Sequence, residues 1–248
     1  MKVVIVSSQL TYVPDNYRSF YRTLLEHDSD HDVVGLILLK NVNFQILKSL
    51  LGLSLIGAKM ITKHLVQNLL SIPKAQNEKL FLKNGRWVKS FESMNDPEAI
   101  QFIKDQQIDL VINARTRCIY KNEILKAPKW GCLNIHHGLL PEYRGTLCDL
   151  YALTEQRDAG FSIHHMTSKI DAGVVYKRVS VSRDMKDYPL YLDMAAKKEG
   201  EVLSQLIAEI KKHGQLPEGQ SNHCAKPLYT KNPTRSQIKK FLNQGFIL

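Results

Sequence analysis

The chain has 248 residues, 44% of them hydrophobic, with 34 Lys and Arg against 24 Asp and Glu for a formal net charge of +10. That length and apolar share exclude a disordered tail or a stapled mini-protein and give room for one substantial α/β core or two small ones. The four cysteines, Cys118, Cys132, Cys148 and Cys224, form no CxxC pair, which speaks against a zinc knuckle or a disulfide framework and leaves free thiols as the expectation.

Val3 to Val6 and Val33 to Leu39 are short apolar runs between polar segments, the pattern of strands buried on both faces of a parallel sheet. Tyr17 to Glu26, between them, reads as a helix. Phe44 to Leu70 interrupts the alternation: Leu47, Leu51 and Leu55, then Ile61, Leu65 and Leu69, recur at helical spacing around Gly52 and Gly57. One or two amphipathic helices are expected there, packed on the core or across a homodimer. A peripheral membrane helix is the other reading, because the segment carries lysines and no acidic residue occurs between Asp32 and Glu78. From Leu80 to Phe91, Asn84-Gly85 between extended runs predicts a β-hairpin.

Pro97 to Gln106 predicts a helix with Asp96 as its N-cap, and Leu110 to Ile112 resumes the strand pattern. Lys121 to Leu125 reads as a short helix. Cys132 to Ile135, Phe161 to His165 and Val174 to Val181 read as strands, and Leu190 to Lys212 as a long helix. This β-α-β alternation predicts an α/β fold with a Rossmann-like, mainly parallel sheet and helices on both faces. The expected organisation is one main domain over residues 1–214, with an insertion at 43–91, and a short C-terminal extension over 215–248. The apolar start is too brief for a signal peptide and no stretch reaches the length of a membrane span, so a cytoplasmic location is expected. The positive charge favours an anionic partner: a phosphorylated metabolite, a polyglutamylated cofactor, a nucleic acid or a membrane surface.

Two segments carry the candidate chemistry. In Gly131 to Pro141, Asn134 and His136 stand two apart, so on a strand they share a face, while Leu133 and Ile135 take the other. Gly138 and Pro141 end that strand and expose its carboxyl end, where open α/β sheets place their ligand crevices. Adjacent His136 and His137 point to opposite faces and no HExxH pattern occurs, so no metal site is expected. In Phe161 to Gly173, a strand leads into a loop closing on Asp171, whose carboxylate could reach His136 if the two strands are neighbours.

Taken in order, Leu133-Asn134-Ile135-His136, Leu139-Leu140-Pro141, Tyr143-Arg144-Gly145, Ser162-Ile163-His164 and Asp171-Ala172-Gly173 resemble the motifs of the formyltransferase family. That family includes methionyl-tRNA, glycinamide ribonucleotide and amino-sugar formyltransferases. The resemblance covers residues 108 to 182 well, the flanking Rossmann-like pattern loosely and Phe44 to Leu70 hardly at all. It implies 10-formyltetrahydrofolate as cosubstrate, with Asn134, His136 and Asp171 at the catalytic positions. It also implies a pterin held by backbone groups of Arg117, Cys118 and Ile119 and of Ser168, Lys169 and Ile170.

Departures from the family pattern bear on the accepting amine. The turn Ser7 to Pro14 lacks the glycines that cradle a phosphate in glycinamide ribonucleotide enzymes, and 34 residues follow Gly214, fewer than the β-barrel of methionyl-tRNA enzymes needs. The tail from Pro227 to Gly245 is similar to that of short bacterial formyltransferase-like and amino-sugar enzymes. The resemblance therefore implies a primary amine on a phosphorylated or nucleotide-linked sugar, and disfavours nucleic acid. Competing expectations are a formyltetrahydrofolate hydrolase using water in place of the amine, a methionyl-tRNA formyltransferase-like protein, and a non-catalytic module binding folate or anionic lipid.

Overall fold

The computed structural model describes residues 1–42 and 52–248. Its strands are β1 (Val3–Ser8), β2 (Val33–Leu39), β3 (Trp87–Phe91), β4 (Leu110–Ala114), β5 (Cys132–His136), β6 (Tyr143–Gly145), β7 (Ala159–His165), β8 (Val175–Ser182) and β9 (Leu228–Thr230). Its helices are α1 (Arg18–His27), α2 (Lys59–Ser71), α3 (Gln76–Lys83), α4 (Pro97–Asp105), α5 (Asn122–Leu125), α6 (Cys148–Thr154), α7 (Tyr188–His213) and α8 (Arg235–Asn243).

Seven strands join in the order β3-β2-β1-β4-β5-β7-β8. The first five are parallel, whereas β7 runs antiparallel to β5 and β8 antiparallel to β7. The strand order reverses between β1 and β4, the kind of switch point at whose carboxyl edge α/β sheets place their ligands, beside the end of β5. Strand residues alternate between two apolar layers, which is why the strands read as unbroken apolar runs. Ile5, Ile112, Leu133 and Ile135 meet Phe20 and Leu24 of α1 and Leu203 and Leu206 of α7 on one side. Val4, Val6, Val111 and Cys132 meet Ile100 and Ile103 of α4 and Ile124 of α5 on the other. Each such side chain contributes on the order of 1.5–3 kcal/mol by leaving water.

The expected hairpin is not formed. Residues up to Lys83 continue α3, Asn84 and Gly85 (φ +73°) turn the chain out of that helix, and β3 pairs in parallel with β2. Asn-Gly here ends a helix through a left-handed glycine, a use the dipeptide serves as readily as a hairpin turn. Asp96 stands at the N-cap of α4, but its carboxylate accepts from the Ser93 N–H and not from the helix.

Of the leucine stripe, Leu47 and Leu51 lie outside the described residues. Within the described part, α2 docks through a polar residue: buried Asn68 donates to the carbonyls of Thr11 and Val13 at 2.9 and 2.7 Å. Ile61, Leu65 and Leu69 are half-buried, while Leu55 and Leu70 are exposed. No described helix is long and apolar enough to cross a membrane. Residues 215–248 lie against the main body. Strand β9 pairs in parallel with β6, and Ile238, Phe241, Phe246 and Leu248 are buried in the same core as α1 and α7. A capping box between Thr234 and Gln237 starts α8.

Candidate active site

Strand register brings three polar residues into one row across the sheet. Asn113 of β4 pairs with Asn134 of β5, and Asn134 pairs with His164 of β7. All three side chains stand on one face and bond in sequence. Asn113 Nδ2 donates to Asn134 Oδ1 at 2.7 Å, and Asn134 Nδ2 lies 3.1 Å from His164 Nε2. His164 Nδ1 lies 2.9 Å from the carbonyl of His165, which can only accept, so Nδ1 carries the proton and Nε2 accepts from Asn134. Burial, aided by nearby His136, pulls the His164 pKa down to about 4, consistent with a neutral ring.

His136 follows on the same strand face, buried at 5% exposure. Its Nε2 lies 2.9 Å from the Tyr143 carbonyl and its Nδ1 lies 3.5 Å from Asp171 Oδ1. Asp171 Oδ1 is also 3.7 Å from His164 Nε2, so one carboxylate faces both imidazoles. Gly138 lies against this ring; a Cβ there would approach His136 Nε2 to 2.9 Å and Cys148 Cβ to 2.6 Å. Cys148 Sγ is 3.1 Å from the Thr230 hydroxyl and 3.7 Å from His136 Nε2, and burial pushes its thiol up to about 12, which makes it a protonated packing group.

Asp171 is held from several sides. It adopts φ +51°, and its Oδ2 accepts from Gly145 N–H at 3.2 Å. From the C-terminal segment, Asn222 Nδ2 donates to the carbonyls of Asp171 and Gly173, both at 2.9 Å, and Arg144 donates to the Asn222 carbonyl at 2.8 Å. Gly173 allows the return of this loop, since a Cβ would come within 1.9 Å of the His165 carbonyl oxygen.

His137 points to the opposite side, as its neighbour position requires. Its Nδ1 lies 3.0 Å from Glu199 Oε1, and Arg115 Nη2 lies 3.5 Å from the same oxygen. Tyr17 donates its hydroxyl to Glu199 Oε2. Burial alone would raise the Glu199 carboxyl, but His137 and Arg115 outweigh it and hold the pKa at about 2. Burial, with Arg115 adding to it, lowers the His137 pKa.

Asn134, His136 and Asp171 are thus brought together. The segment Arg117-Cys118-Ile119 leaves the end of β4, tied through Thr116. The Thr116 hydroxyl donates to Asn113 Oδ1 at 2.6 Å and accepts from Cys118 N–H at 3.2 Å. Ser168, Lys169 and Ile170 immediately precede Asp171. Several backbone groups in both loops are already engaged: Asn95 Nδ2 binds the Ile119 carbonyl, and the Thr167 hydroxyl serves both Lys169 N–H and its carbonyl. Arg117, Ser168 and Ile170 make no backbone hydrogen bond among the described residues, while Ile119 and Ile170 are each 63% exposed. Exposed apolar side chains beside unpaired amides fit a flat heteroaromatic ligand. Among the described residues, no group of three or more His, Cys, Asp and Glu is placed to hold a metal ion.

Sequence reading had not assigned Asn113, Thr116, His164, Asn222 or Glu199. Asn113, the lone polar residue in the apolar run Leu110 to Ala114, was the available signal.

The family model described as formyl transferase matches residues 57–207. A methionyl-tRNA formyltransferase of Caldanaerobacter subterraneus is 31% identical over 159 residues, 62% of this chain and 52% of that protein. The chain thus spans about half the length of that curated relative. A formyltransferase structure from Anoxybacillus kamchatkensis, in complex with UDP-4,6-dideoxy-4-formamido-L-AltNAc and tetrahydrofolate, is 14% identical with a TM-score of 0.53, covering 100% of this chain and 94% of that one. Glycinamide ribonucleotide transformylase 1 from Symbiobacterium toebii is 15% identical with a TM-score of 0.58, covering 90% of this chain and 94% of that one. These likenesses share the fold seen here, and with the family match spanning most of the chain, β4, β5 and β7 included, the protein belongs to the formyl transferase family.

Proposed function

We propose that the chain transfers a formyl group from 10-formyltetrahydrofolate to a primary amine on a nucleotide-linked sugar, with Asn134, His136 and Asp171 as its catalytic residues. The observation that carries this reading is the convergence of an amide donor, an imidazole and a carboxylate on one sheet face beside two loops suited to a pterin. The folate supplies the formyl carbon. Arg117, Ser168 and Ile170 offer it free backbone groups and Ile119 and Ile170 offer apolar contact, with Cys118 and Lys169 completing the two loops.

Asn134 spends one of its two amide protons on His164 and keeps the other for the formyl oxygen, where negative charge develops as the amine attacks. His136 is clamped between Tyr143 and Asp171, in place to move a proton near the reacting nitrogens. For balance, one proton leaves the incoming amine and one reaches the departing folate nitrogen, through the His136–Asp171 pair or bound water. Asp171 orients His136 and carries the negative charge that offsets an imidazolium.

The nucleotide-linked acceptor is supported by the solved formyltransferase that spans this chain fully and holds such a sugar. The formal net charge of +10 also suits an anionic, phosphate-bearing acceptor. The curated match to methionyl-tRNA enzymes keeps that substrate as the competing reading.

The test is incubation with 10-formyltetrahydrofolate and separate acceptors: nucleotide-linked amino sugars, glycinamide ribonucleotide, methionyl-tRNA and no amine. Tetrahydrofolate release with a product gaining the mass of a formyl group only on the amino sugars is expected. Release without any amine would establish a hydrolase, and formylation of methionyl-tRNA alone would overturn the sugar reading.

A further inference from the structure

Two residues outside the catalytic set lie in a continuous hydrogen-bond chain that reaches Asn134. An Asn side chain can present either its oxygen or its nitrogen, and the two ends are nearly equal in shape. A site that needs an amide donor for a developing oxyanion must therefore decide which end faces the substrate. The cross-strand row supplies that decision here.

The chain begins at Cys118 N–H, in the loop assigned to the folate, which donates to Thr116 Oγ1 at 3.2 Å. The same hydroxyl has one proton, and it is spent on Asn113 Oδ1 at 2.6 Å. With its oxygen so engaged, Asn113 turns its Nδ2 to Asn134 Oδ1 at 2.7 Å. Asn134 then turns Nδ2 to His164 Nε2 at 3.1 Å, and the neutral His164 ring ends the chain on the His165 carbonyl at 2.9 Å. Every link runs donor to acceptor in one direction. Reversing any one places two acceptors or two donors together in a partly buried row, where an unmade hydrogen bond is unfavourable.

We propose that Thr116 and Asn113 are positioning residues that fix the amide of Asn134 with its nitrogen toward the substrate and tie that orientation to the loop Arg117-Cys118-Ile119. Neither residue touches the reacting atoms in this arrangement; both act through Asn134. The inference rests on the proposed role of Asn134 for its catalytic consequence, but the orientation itself can be read without any turnover.

The readout is His164. If Asn134 reverses, its oxygen faces His164 Nε2, while His164 Nδ1 still faces a carbonyl, so the ring is then stabilised with both nitrogens protonated. Imidazole nitrogen resonances are followed against pH in four proteins: wild type, Thr116→Val, Thr116→Ser and Asn113→Asp. Wild type and Thr116→Ser are expected to keep His164 neutral down to the lowest pH at which the fold survives. Thr116→Val and Asn113→Asp are expected to raise its titration by about one unit or more, because the reversed amide favours the charged ring. Turnover, with an acceptor identified by the panel, should fall about tenfold in Thr116→Val and Asn113→Asp and recover in Thr116→Ser, while tetrahydrofolate affinity in Asn113→Asp stays within about twofold.

Asn113→Asp carries a further signature. When protonated, the new carboxyl can donate to Asn134 Oδ1 again, so variant turnover relative to wild type should rise as pH falls from about 8 to about 6. An unchanged His164 titration in both Thr116→Val and Asn113→Asp would overturn the relay, whatever the acceptor is. A moved titration with undiminished turnover would uphold the relay and overturn Asn134 as the formyl-oxygen donor.

Discussion

His136 Nε2 lies 2.9 Å from the carbonyl oxygen of Tyr143, so the imidazole at the end of β5 is anchored to the backbone of β6. A carbonyl only accepts, so Nε2 holds a proton and Nδ1 is the nitrogen that faces Asp171. The ring orientation is thus set by the fold before any substrate arrives. Replacing His136 by Ala should lower turnover by roughly a hundredfold or more, the scale of a lost general acid-base group, while tetrahydrofolate affinity stays within several-fold of wild type. Steady-state rates and a binding isotherm on the same preparation check this. Near-normal formyl transfer by the variant would rule out the assigned role for His136.

Asp171→Asn keeps the shape that accepts from Gly145 N–H but removes the charge beside His136 and His164. Turnover should fall by about tenfold or more, with little change in folate affinity, because the lost interaction acts chiefly as charge moves. A variant that loses folate binding and turnover in parallel would make Asp171 a cosubstrate contact instead.

How much of this was legible before the structure depends on range. Asn134 and His136 sharing a face follows from a two-residue step along one strand, whereas Asp171 beside His136 is implied only by the family resemblance and requires β5 and β7 to be neighbours. The lateral row is not legible either, because Asn113, Asn134 and His164 meet through strand register, which one sequence leaves open. Asn222 is beyond reach for the same reason: it clamps Asp171 from 51 residues away. Asn84-Gly85 was misread because a left-handed glycine ends a helix as well as it turns a hairpin. Helix α2 was expected to dock by its leucines, yet its most buried residue is Asn68, which no hydrophobic periodicity reports.

That observation makes Asn68→Ala informative. The substitution leaves the carbonyls of Thr11 and Val13 without their buried donor, so unfolding by urea should show a loss of about 1–3 kcal/mol. Unchanged stability, together with binding to anionic liposomes that depends on α2, would favour the membrane reading of this segment.

Glu199 is fully buried and faces His137, Arg115 and Tyr17 at once. Glu199→Leu leaves the Arg115 guanidinium buried without its carboxylate, and breaking a buried pair in this way costs about 3–5 kcal/mol. The urea midpoint should drop accordingly. A variant as stable as the wild type would show that water or another acidic group reaches Arg115.

Stability should also depend on pH through His164. Its pKa is about 4 in the fold against 6.5 for the free side chain. Between those values the unfolded chain takes up a proton that the native state refuses, so stability is intact above pH 6.5 and is lost as pH falls toward 4, by up to about 3 kcal/mol. His137, also lowered by burial, acts in the same direction, whereas Glu199 contributes only at lower pH, between 4.5 and about 2. Urea midpoints at about pH 7 and about pH 5 should differ in wild type and differ less in His164→Gln. Equal slopes in the two proteins would remove His164 as the cause.

Asn95 separates folate binding from chemistry. Its Nδ2 donates to the Ile119 carbonyl at 2.9 Å and its Oδ1 accepts from Lys121 N–H at 2.8 Å, so one side chain staples both ends of the loop that follows Cys118. Removing it with Asn95→Ala frees the loop to sample conformations that do not bind, and the apparent affinity falls by the fraction of time the competent one is lost. The two bonds contribute about 1 kcal/mol each, so the tetrahydrofolate Kd should rise by up to roughly thirtyfold by calorimetry. Bound cosubstrate holds the loop in its competent form and so restores the row from Cys118 to His164, and turnover at saturating cosubstrate should stay within about twofold. A variant with normal affinity and depressed turnover would place the folate elsewhere and leave the loop from Arg117 to Ile119 with a structural role.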